Sequence, residues 1–448
     1  MLFHRRADTV HAVPLWRQSA AGTVVLAYLF DYVDDVCMCQ GLVGFTTAWH
    51  QRGMQNIQNI LSRKQRPLNV IYVSSYIPRK CGIATYTKDL TNAINLINSH
   101  SLAEILVVTP SHDNFEYPWE SKFKILRDNV ADYVSAVEYV NHSDADLVVL
   151  EHEFGLFGGE GGEYIVRFAE ALKKPMVTTF HTVLSQRDVK QAEVVRRLSK
   201  CSRAVTVMMD EVARRLVREY HVPARKVVVI PHGVPDLPFN ATKEYKRRRK
   251  MQDRIVLGNI NLLSRNKGIE YALEAVAIIA KKYPQVLYVC VGQTHPDIAR
   301  SEGEAYRNFL KKRVRELGIK NNVRFVNEYL SLRDLLSWLK TIDFYITPYL
   351  DPEQIASGAL AYAVGAGKAC VSTPYVYAKE VLAGGKGVLV SWKNGQSIAD
   401  AVINLYENPD EKLEMEKRAY KFGRLMTWTH VAHRHLDLFR TVMSREAR

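Results

Sequence analysis

Short apolar runs alternate with segments of helical periodicity from residue 70 onward, and this alternation limits the fold more than any other feature. Residues 70–74 form a β-rich run, and residues 86–97 follow it with apolar side chains at helical spacing. Strands that alternate with helices build a parallel sheet covered by helices. The further strands predicted in this part of the chain are 104–109, 147–150, 176–180, 204–208 and 227–230. We therefore predict an α/β domain that ends near Val234.

The same alternation starts again after a basic segment, near residue 253. The strands predicted there are 255–257, 287–291, 323–325, 344–347, 369–372 and 387–390. A chain of 448 residues is also longer than one hydrophobic core usually serves. We therefore predict an α/β fold of two Rossmann-like parallel-sheet domains that face each other across a cleft.

The domain boundaries follow from these patterns. Residues 67–235 are assigned to the first domain and residues 253–415 to the second. The segment 236–252 is predicted to be a solvated linker, because Lys and Arg dominate its stretch from 243 to 250. Residues 416–448 are expected to form a closing helical segment that packs back onto the first domain, with Trp428 in the contact.

Residues 1–66 precede the alternating pattern and are treated as an extension. Their apolar stretch at 20–30 is shorter than the roughly 18 to 20 residues that span a bilayer. No small-residue cleavage site of a secretory signal follows it. We expect residues 1–53 to lie outside the two-domain machinery, either upstream of a true start at Met54 or as an appendage packed on the domain.

The formal net charge of +14 points to anionic partners without choosing among them. Nucleic acid is excluded as a partner, because the chain has neither interleaved aromatic and basic residues along a strand nor a zinc-finger or helix-turn-helix pattern. Peripheral contact of the basic surface with a membrane stays open. Six cysteines without regular spacing indicate a reducing, cytoplasmic location. No cofactor and no metal site are expected.

Three motifs of the first domain lie at the carboxyl ends of predicted strands, where open α/β sheets bind ligands. The loop around Gly82 lets the backbone approach a phosphate in front of a helix, although a plain tight turn explains it equally well. The motif at 151–162 supplies Glu153, and it supplies His152 and Gly155 on the side expected to face an acceptor. His181 ends the strand at 176–180, and its placement repeats that of His152.

Two motifs of the second domain follow the same rule. Arg265 and Lys267 precede a helix and suit a diphosphate, although an exposed basic turn is the alternative. The stretch 349–360 places carboxylate, amide and hydroxyl groups ahead of a helix, where they can bind sugar hydroxyls and phosphate. The residues of this stretch that we predict to contact the sugar donor or its transferred sugar are Glu353, Gln354, Ser357 and Gly358.

Together these blocks resemble the family-4 retaining glycosyltransferases of the GT-B fold, over residues 69 to about 440. The resemblance rests on the Gly82 loop, the 153–155 motif, His181, the segment 230–234, Lys267 with Gly268, and the helix at Gly358. It implies transfer of a hexose from a nucleotide-sugar donor to a carbohydrate or lipid-linked acceptor, with retention and without a metal. It also implies that Lys267, with Arg265, holds the diphosphate of the sugar donor, and that His181 lies near the transferred sugar.

The chain departs from the family at a pair of glutamates eight positions apart. Counting back from Gly367, the two positions hold Gln354 and Tyr362. Glu353 can replace the first glutamate by a one-residue shift, and Tyr362 offers a phenol to the ribose of the sugar donor. The arginine five residues before the diphosphate lysine is replaced by Leu262.

The catalytic candidates are therefore His181, Glu153 and Glu353. We expect Glu153 or His152 to position the acceptor. Two enzyme alternatives stay open on the same fold, a nucleotide-sugar epimerase and a sugar phosphorylase. A catalytically silent binding protein of the same shape is the third alternative, because the glutamate pair is missing.

Overall fold

The computed structural model describes residues 66–185, 188–239 and 242–446. The predictions made for residues 1–65, including the short apolar stretch and the start at Met54, lie outside these described residues. The described part of the chain contains two parallel sheets, of seven and six strands. The predicted α/β fold with two Rossmann-like domains is confirmed.

The first sheet has the strand order β3-β2-β1-β4-β5-β6-β7, and its pairs are parallel. Its strands are β1 Val70–Ser74, β2 Glu104–Thr109, β3 Ser121–Leu126, β4 Leu147–His152, β5 Met176–Phe180, β6 Ala204–Val207 and β7 Val227–Val229. The central strand β1 pairs with β2 on one side and with β4 on the other. Because the strand order reverses there, a crevice opens at the carboxyl ends of β1 and β4.

The second sheet repeats this plan with the order β10-β9-β8-β11-β12-β13. Its strands are β8 Ile255–Ile260, β9 Val286–Val291, β10 Val323–Val326, β11 Phe344–Thr347, β12 Ala369–Ser372 and β13 Val388–Leu389. Strand β8 lies between β9 and β11, so that the second crevice opens at the carboxyl ends of β8 and β11.

Helices cover both sheets. Those of the first domain are α1 Gly82–Ile97, α2 Val130–His142, α3 Tyr164–Ala171, α4 Val189–Cys201 and α5 Asp210–Glu219. Between the domains lies α6 Thr242–Arg248, and the second domain adds α7 Ile269–Lys282, α8 Pro296–Glu302, α9 Ala305–Glu316, α10 Leu332–Thr341, α11 Gly358–Gly365, α12 Val376–Val381 and α13 Gly395–Glu407. The chain then closes with α14 Pro409–Arg424 and α15 Trp428–Glu446. No helix of the described residues is long and apolar enough to cross a membrane.

The basic segment between the domains is a helix in part, and four of its six cationic side chains at 243–250 are exposed while Lys246 and Arg249 are packed. Lys246 of α6 forms an ion pair of 2.8 Å with Asp343. Arg249 lies over the ring of Trp338, 3.7 Å from its centroid, and donates a hydrogen bond of 2.9 Å to Ser337. The cationic side chains therefore fasten this segment to α10, because long charged side chains can cover apolar surface with their stems.

The closing helix α15 returns to the first domain. Its apolar side chains join the core cluster under β1 and α1; they are Val431, Ala432, Leu436, Phe439 and Val442. The helix starts at Trp428, and a Cβ at Gly233 would stand 2.1 Å from the ring of Trp428. Glycine at 233 therefore allows the start of α15 to reach the segment that leaves the first domain.

Candidate active site

The predicted motifs lie on loops that leave the carboxyl ends of β1, β4, β5, β8 and β11. Side chains of the two domains meet between these loops. Nζ of Lys80 donates a 3.4 Å hydrogen bond to Oε1 of Gln293, and the hydroxyls of Thr85 and Tyr329 lie 3.4 Å apart. The two crevices therefore face each other, and the motifs line one cleft.

His181 at the end of β5 is held by a buried carboxylate. Its Nε2 lies 2.8 Å from Oε2 of Glu151, the penultimate residue of the neighbouring strand β4. Glu151 is fully buried, and His181 is 6% exposed. Because a carboxylate oxygen accepts, Nε2 donates this hydrogen bond and Nδ1 is the ring nitrogen that remains for a ligand. Glu151 thus sets the orientation and the tautomer of His181.

A second histidine, His232, adjoins His181 through the ring of Tyr86. The ring centroid of Tyr86 lies 4.8 Å from that of His181 and 5.3 Å from that of His232. Burial lowers the pKa of His232 to about 4. The hydrogen bond to the carbonyl of Gly233 raises this pKa in part, and the nearby His181 lowers it further. His232 is therefore a neutral imidazole at neutral pH, whose Nδ1 donates to that carbonyl at 2.7 Å.

The N-terminus of α11 approaches His232 closely. A Cβ at Gly358 would stand 3.0 Å from Nε2 of His232, so the absence of a side chain at 358 permits this contact. The hydroxyl of Ser357 caps the helix by accepting from the backbone N–H of Leu360 at 3.2 Å. Two histidine rings and the N-terminus of α11 therefore meet at the domain junction, where the positive end of the helix dipole favours an anion and the free ring nitrogens can accept hydrogen bonds.

Glu153 lies just beyond the end of β4. Its carboxylate accepts a 2.6 Å hydrogen bond from the hydroxyl of Thr182 and a 3.0 Å bond from the backbone N–H of Phe154. A cavity of about 340 Å³ opens next to it, and glycines make up much of its wall: Gly155, Gly158, Gly159, Gly161 and Gly162. Gly155, predicted on the acceptor side, therefore lines this cavity, two residues after Glu153.

His152 does not face this cavity. Its ring is fully buried among Phe154, Phe157 and Phe180, with ring centroids 5.1 to 5.6 Å away. Neither of its ring nitrogens has a hydrogen-bond partner among the described residues. Burial, and secondarily His181, lowers the pKa of His152 to about 3. The structure corrects the prediction that His152 contacts an acceptor, because strand alternation turns its ring into the core.

Lys267 lies at the end of a short 3-10 helix after β8. Its Nζ is 4.0 Å from the ring centroid of Tyr349, which is a cation–π contact. Gly268 adopts a left-handed φ of 61°, and a Cβ there would stand 2.1 Å from the carbonyl oxygen of Pro348. Only glycine therefore lets the lysine loop lie against the loop after β11. Arg265 is more exposed and pairs with Glu302 at 3.5 Å.

Glu353 is engaged with the first domain. Its Oε2 lies 3.2 Å from Nη2 of Arg215 and accepts a short hydrogen bond from the hydroxyl of Ser185. Arg215 is buried and also donates to the carbonyl of Val183 at 2.7 Å. The carboxylate predicted to face the transferred sugar thus joins the two domains, and its role towards the sugar stays a prediction.

The two positions of the family's glutamate pair are both bonded within the protein. The amide nitrogen of Gln354 donates to the carbonyl of Ala356 at 2.9 Å. The phenol of Tyr362 donates to Oδ2 of Asp89 on α1 at 2.8 Å, so that α11 is tied to the first domain. The ribose contact of Tyr362 stays a prediction.

Gly82 is the first residue of α1, not part of a loop ahead of the helix as predicted. The thiol of Cys81 caps the helix by accepting from the backbone N–H of Ala84 at 3.4 Å. A Cβ at Gly82 would meet nothing within 4 Å. The space beside the Cα of Gly82 is therefore open, and the contact with phosphate stays a prediction.

Sequence reasoning missed the partners of these side chains. The motif at 151–162 does not single out Glu151 as a site residue, although a carboxylate at the end of an apolar strand signals a buried hydrogen bond. His232 lies in the segment 230–234, which predicts no role for its side chain. Arg215 lies on the amphipathic helix α5, where an arginine gives no signal of burial. Among the described residues, no group of three or more His, Cys, Asp or Glu side chains is placed to share a metal ion.

Two family models match the chain, one on each domain. The model described as "Glycosyltransferase Family 4" matches residues 97–236, and the model described as "Glycosyl transferases group 1" matches residues 241–422. The chain is a family-4 glycosyltransferase of the GT-B fold. The residues matched by the second model include Lys267 and α11.

Curated relatives of this transferase are distant in sequence. It is 27% identical over 191 residues to the D-inositol 3-phosphate glycosyltransferase of Corynebacterium urealyticum, covering 42% of this chain and 43% of that protein. It is 24% identical over 290 residues to the enzyme of the same name from Thermobispora bispora, covering 60% and 66%. The chain thus aligns with less than two thirds of each relative's own length.

Solved structures share the fold of the transferase. Sucrose-phosphate synthase from Thermosynechococcus elongatus has a TM-score of 0.68 and 17% identity, covering 84% of this chain and all of that one. Anabaena HepE, solved in complex with UDP and glucose, has a TM-score of 0.67 and 14% identity, with the same coverage. At these identities the likeness shows the GT-B architecture.

Proposed function

We propose that this transferase moves a hexose from a nucleotide-sugar donor to a carbohydrate or lipid-linked acceptor, with retention of configuration and without a metal ion. The observation that carries the proposal is the placement of Lys267. Its ammonium group contacts the ring of Tyr349, in the loop between β11 and α11. A lysine at this edge, together with helix N-termini, suits a diphosphate leaving group.

Named relatives support the same substrate class. HepE of Anabaena was solved with UDP-glucose, and two relatives are named for transfer to D-inositol 3-phosphate. A sugar nucleotide carries the diphosphate that a cationic loop and a helix N-terminus can stabilise. The net charge of +14 fits an anionic donor and also fits contact of the protein with an anionic membrane or lipid-linked acceptor.

Retention is proposed to follow a front-face substitution. The bond between the sugar C1 and the leaving phosphate oxygen breaks, the acceptor oxygen bonds to C1 on the same face, and its proton passes to the leaving phosphate. The carboxylates of Glu151 and Glu153 are engaged in hydrogen bonds to His181 and Thr182, which supports roles in orientation rather than as a nucleophile. Closure of the cleft would keep water from the oxocarbenium-like centre.

Replacement of Lys267 by alanine tests the binding of the sugar donor. We expect at least one sugar nucleotide from a panel of UDP-, GDP- and ADP-sugars to raise the melting temperature of the wild-type chain. The wild type should also hydrolyse that donor slowly. In Lys267→Ala the affinity for that donor should fall about 10- to 100-fold, because one charge-assisted contact with the diphosphate is lost. Titration by thermal shift or calorimetry measures this change.

Lys281 provides the matched control, since it is an exposed lysine on α7, the helix that follows the lysine loop. Lys281→Ala should bind the donor like the wild type. If no sugar nucleotide stabilises the wild type, or if Lys267→Ala responds as strongly, the proposed function is wrong. An isomerised donor would identify an epimerase instead, and turnover that depends on inorganic phosphate would identify a phosphorylase.

A further inference from the structure

Three loops from the two domains come together beside Lys267. The backbone N–H of Leu263, after β8, donates to the carbonyl of Gln293, after β9, at 2.9 Å, and His295 donates back to Leu263 at 3.0 Å. The loop after β1 joins them, since Lys80 donates to the side chain of Gln293. Residues 79–80, 261–267 and 293–295 therefore share one corner of the cleft.

Arg79 brings an unsatisfied cation to this corner. Its Nη1 is shielded from solvent and has no hydrogen-bond partner among the described residues. Shielding a guanidinium donor without an acceptor is costly, so an acceptor such as a bound anion or an ordered water is expected at this nitrogen. An arginine in this position can form a bidentate hydrogen bond with two phosphate oxygens.

His295 offers a neutral donor at the same corner. Its Nδ1 accepts a 3.3 Å hydrogen bond from the backbone N–H of Asp297, so that the ring proton resides on Nε2. Burial lowers the pKa of His295, Asp297 partly opposes this, and the cations Lys267, Arg79 and Arg300 lower it further. The ring is therefore uncharged at neutral pH and can donate one hydrogen bond through Nε2.

The acidic side chains of this corner have other partners. Arg300 pairs with Asp113 at 3.6 Å and also with Asp297, and Arg265 pairs with Glu302. Among the residues that the structure describes, neither Arg79 nor Lys267 forms an ion pair. The corner therefore carries an excess of positive charge that a multiply charged anion would neutralise.

Asn261 adds an unsatisfied amide to the same loop. Both its Oδ1 and its Nδ2 are shielded from solvent without a hydrogen-bond partner in the described part of the chain. The neighbouring Gly292 has a φ of +129°, and a Cβ there would stand 2.0 Å from the carbonyl oxygen of Asn261. The close packing holds Asn261 in place with its amide free for a ligand.

We propose that Arg79 and His295 complete the diphosphate site of the sugar donor together with Lys267. Arg79 would supply a guanidinium group to a cleft that has Leu262 where the family has an arginine. Since Arg79 belongs to the first domain and Lys267 to the second, the diphosphate would bridge the domains and hold the cleft closed. The inference rests on the proposed use of a nucleotide-sugar donor.

Arg79→Gln tests this assignment in the full chain, with UDP, GDP, ADP and the corresponding nucleosides as probes. The affinity for the nucleoside diphosphate that binds the wild type should fall about 10- to 100-fold, and the affinity for its nucleoside should stay within about twofold. The affinity of Arg79→Lys for the nucleoside diphosphate should lie between those of the wild type and Arg79→Gln, because lysine keeps the charge but loses the bidentate contact. His295→Leu should lower the affinity for the nucleoside diphosphate about fivefold to tenfold, because one hydrogen-bond donor is lost.

The matched control is Arg196→Gln, which removes an exposed arginine of α4 that pairs only with the adjacent turn. Ligand-free melting curves show whether each variant is folded, and Arg79→Lys remains informative if Arg79→Gln is not. Diphosphate affinities of Arg79→Gln and Arg79→Lys equal to that of the wild type overturn the inference, while loss of binding in Lys267→Ala then leaves the proposed function intact. A wild type that binds none of the nucleoside diphosphates overturns the proposed function and this inference together.

Discussion

Replacement of Glu151 by glutamine is expected to lower the turnover of the sugar donor about 100-fold while leaving its binding unchanged. Glu151 accepts the hydrogen bond of Nε2 of His181 and is fully buried. A glutamine can rotate its amide and donate to Nε2 instead, which moves the ring proton to Nδ1, the nitrogen that Glu151 leaves unbonded. In catalytic His–carboxylate pairs such a change of tautomer costs a factor of 10² or more. Steady-state kcat of transfer or of slow donor hydrolysis measures the effect.

A fall in kcat without a loss of donor binding would show that Glu151 orients His181 and does not merely stabilise the fold. The thermal stabilisation of Glu151→Gln by the sugar donor should equal that of the wild type, because Lys267 and Arg79 are untouched. Glu151→Asp keeps the carboxylate and should recover part of the rate. Glu170→Gln, which removes an exposed carboxylate paired with Arg197, is the matched control. Unchanged kcat in Glu151→Gln would show that His181 does not act through this hydrogen bond.

The two-domain fold could be predicted from sequence because its strands are buried on both faces. Such strands are continuous apolar runs, and β1, β5 and β11 were predicted at the bounds that the structure shows. Strand β3 was missed. It lies at the edge of the first sheet, and its exposed residues Lys122 and Lys124 interrupt the apolar pattern.

Helix starts were less predictable where the capping group is unusual. Helix α1 begins four residues earlier than its apolar periodicity suggests, since the cap is the thiol of Cys81. Ser, Thr, Asp and Asn are the residues that signal a cap in a sequence, so cysteine gave no warning. The packing of Lys246 and Arg249 within the basic segment was likewise not predictable, because their partners Asp343 and Ser337 lie far along the chain.

The location of the candidate site was predictable, but the partners of its side chains were not. Strand ends converge by topology, so His181 and Lys267 could be placed at the cleft from sequence alone. The phenol of Tyr362 meets Asp89 across 273 positions of the chain. The carboxylate of Glu353 likewise meets Arg215 across the domain boundary. Such pairs depend on how the two domains pack, which no local pattern records.

Replacement of His152 by leucine is expected to protect the protein against acid. The pKa of His152 is lowered from 6.5 to about 3 in the folded protein, chiefly by burial. The unfolded chain therefore binds a proton at this residue between these values while the folded chain does not. Stability from this group is complete above about pH 6.5 and is lost by about 1.4 kcal/mol per pH unit as the pH falls towards 3. Between pH 7 and pH 5 the loss is about 2 kcal/mol.

In His152→Leu this loss should disappear, so the free energy of unfolding should fall less steeply with pH than in the wild type. His232, with its pKa lowered to about 4, acts in the same direction and leaves part of the slope in place. At pH 7 the variant should be at least as stable, because two buried nitrogens without partners are replaced by an apolar group among three phenylalanines. Urea unfolding at pH 7 and pH 5 measures both quantities. His433→Leu, at an exposed position of α15, is the matched control, since its ring contacts water in the folded and the unfolded chain. An unchanged pH slope in His152→Leu would mean that His152 can be protonated within the fold, and hence that its ring reaches a partner or solvent after all.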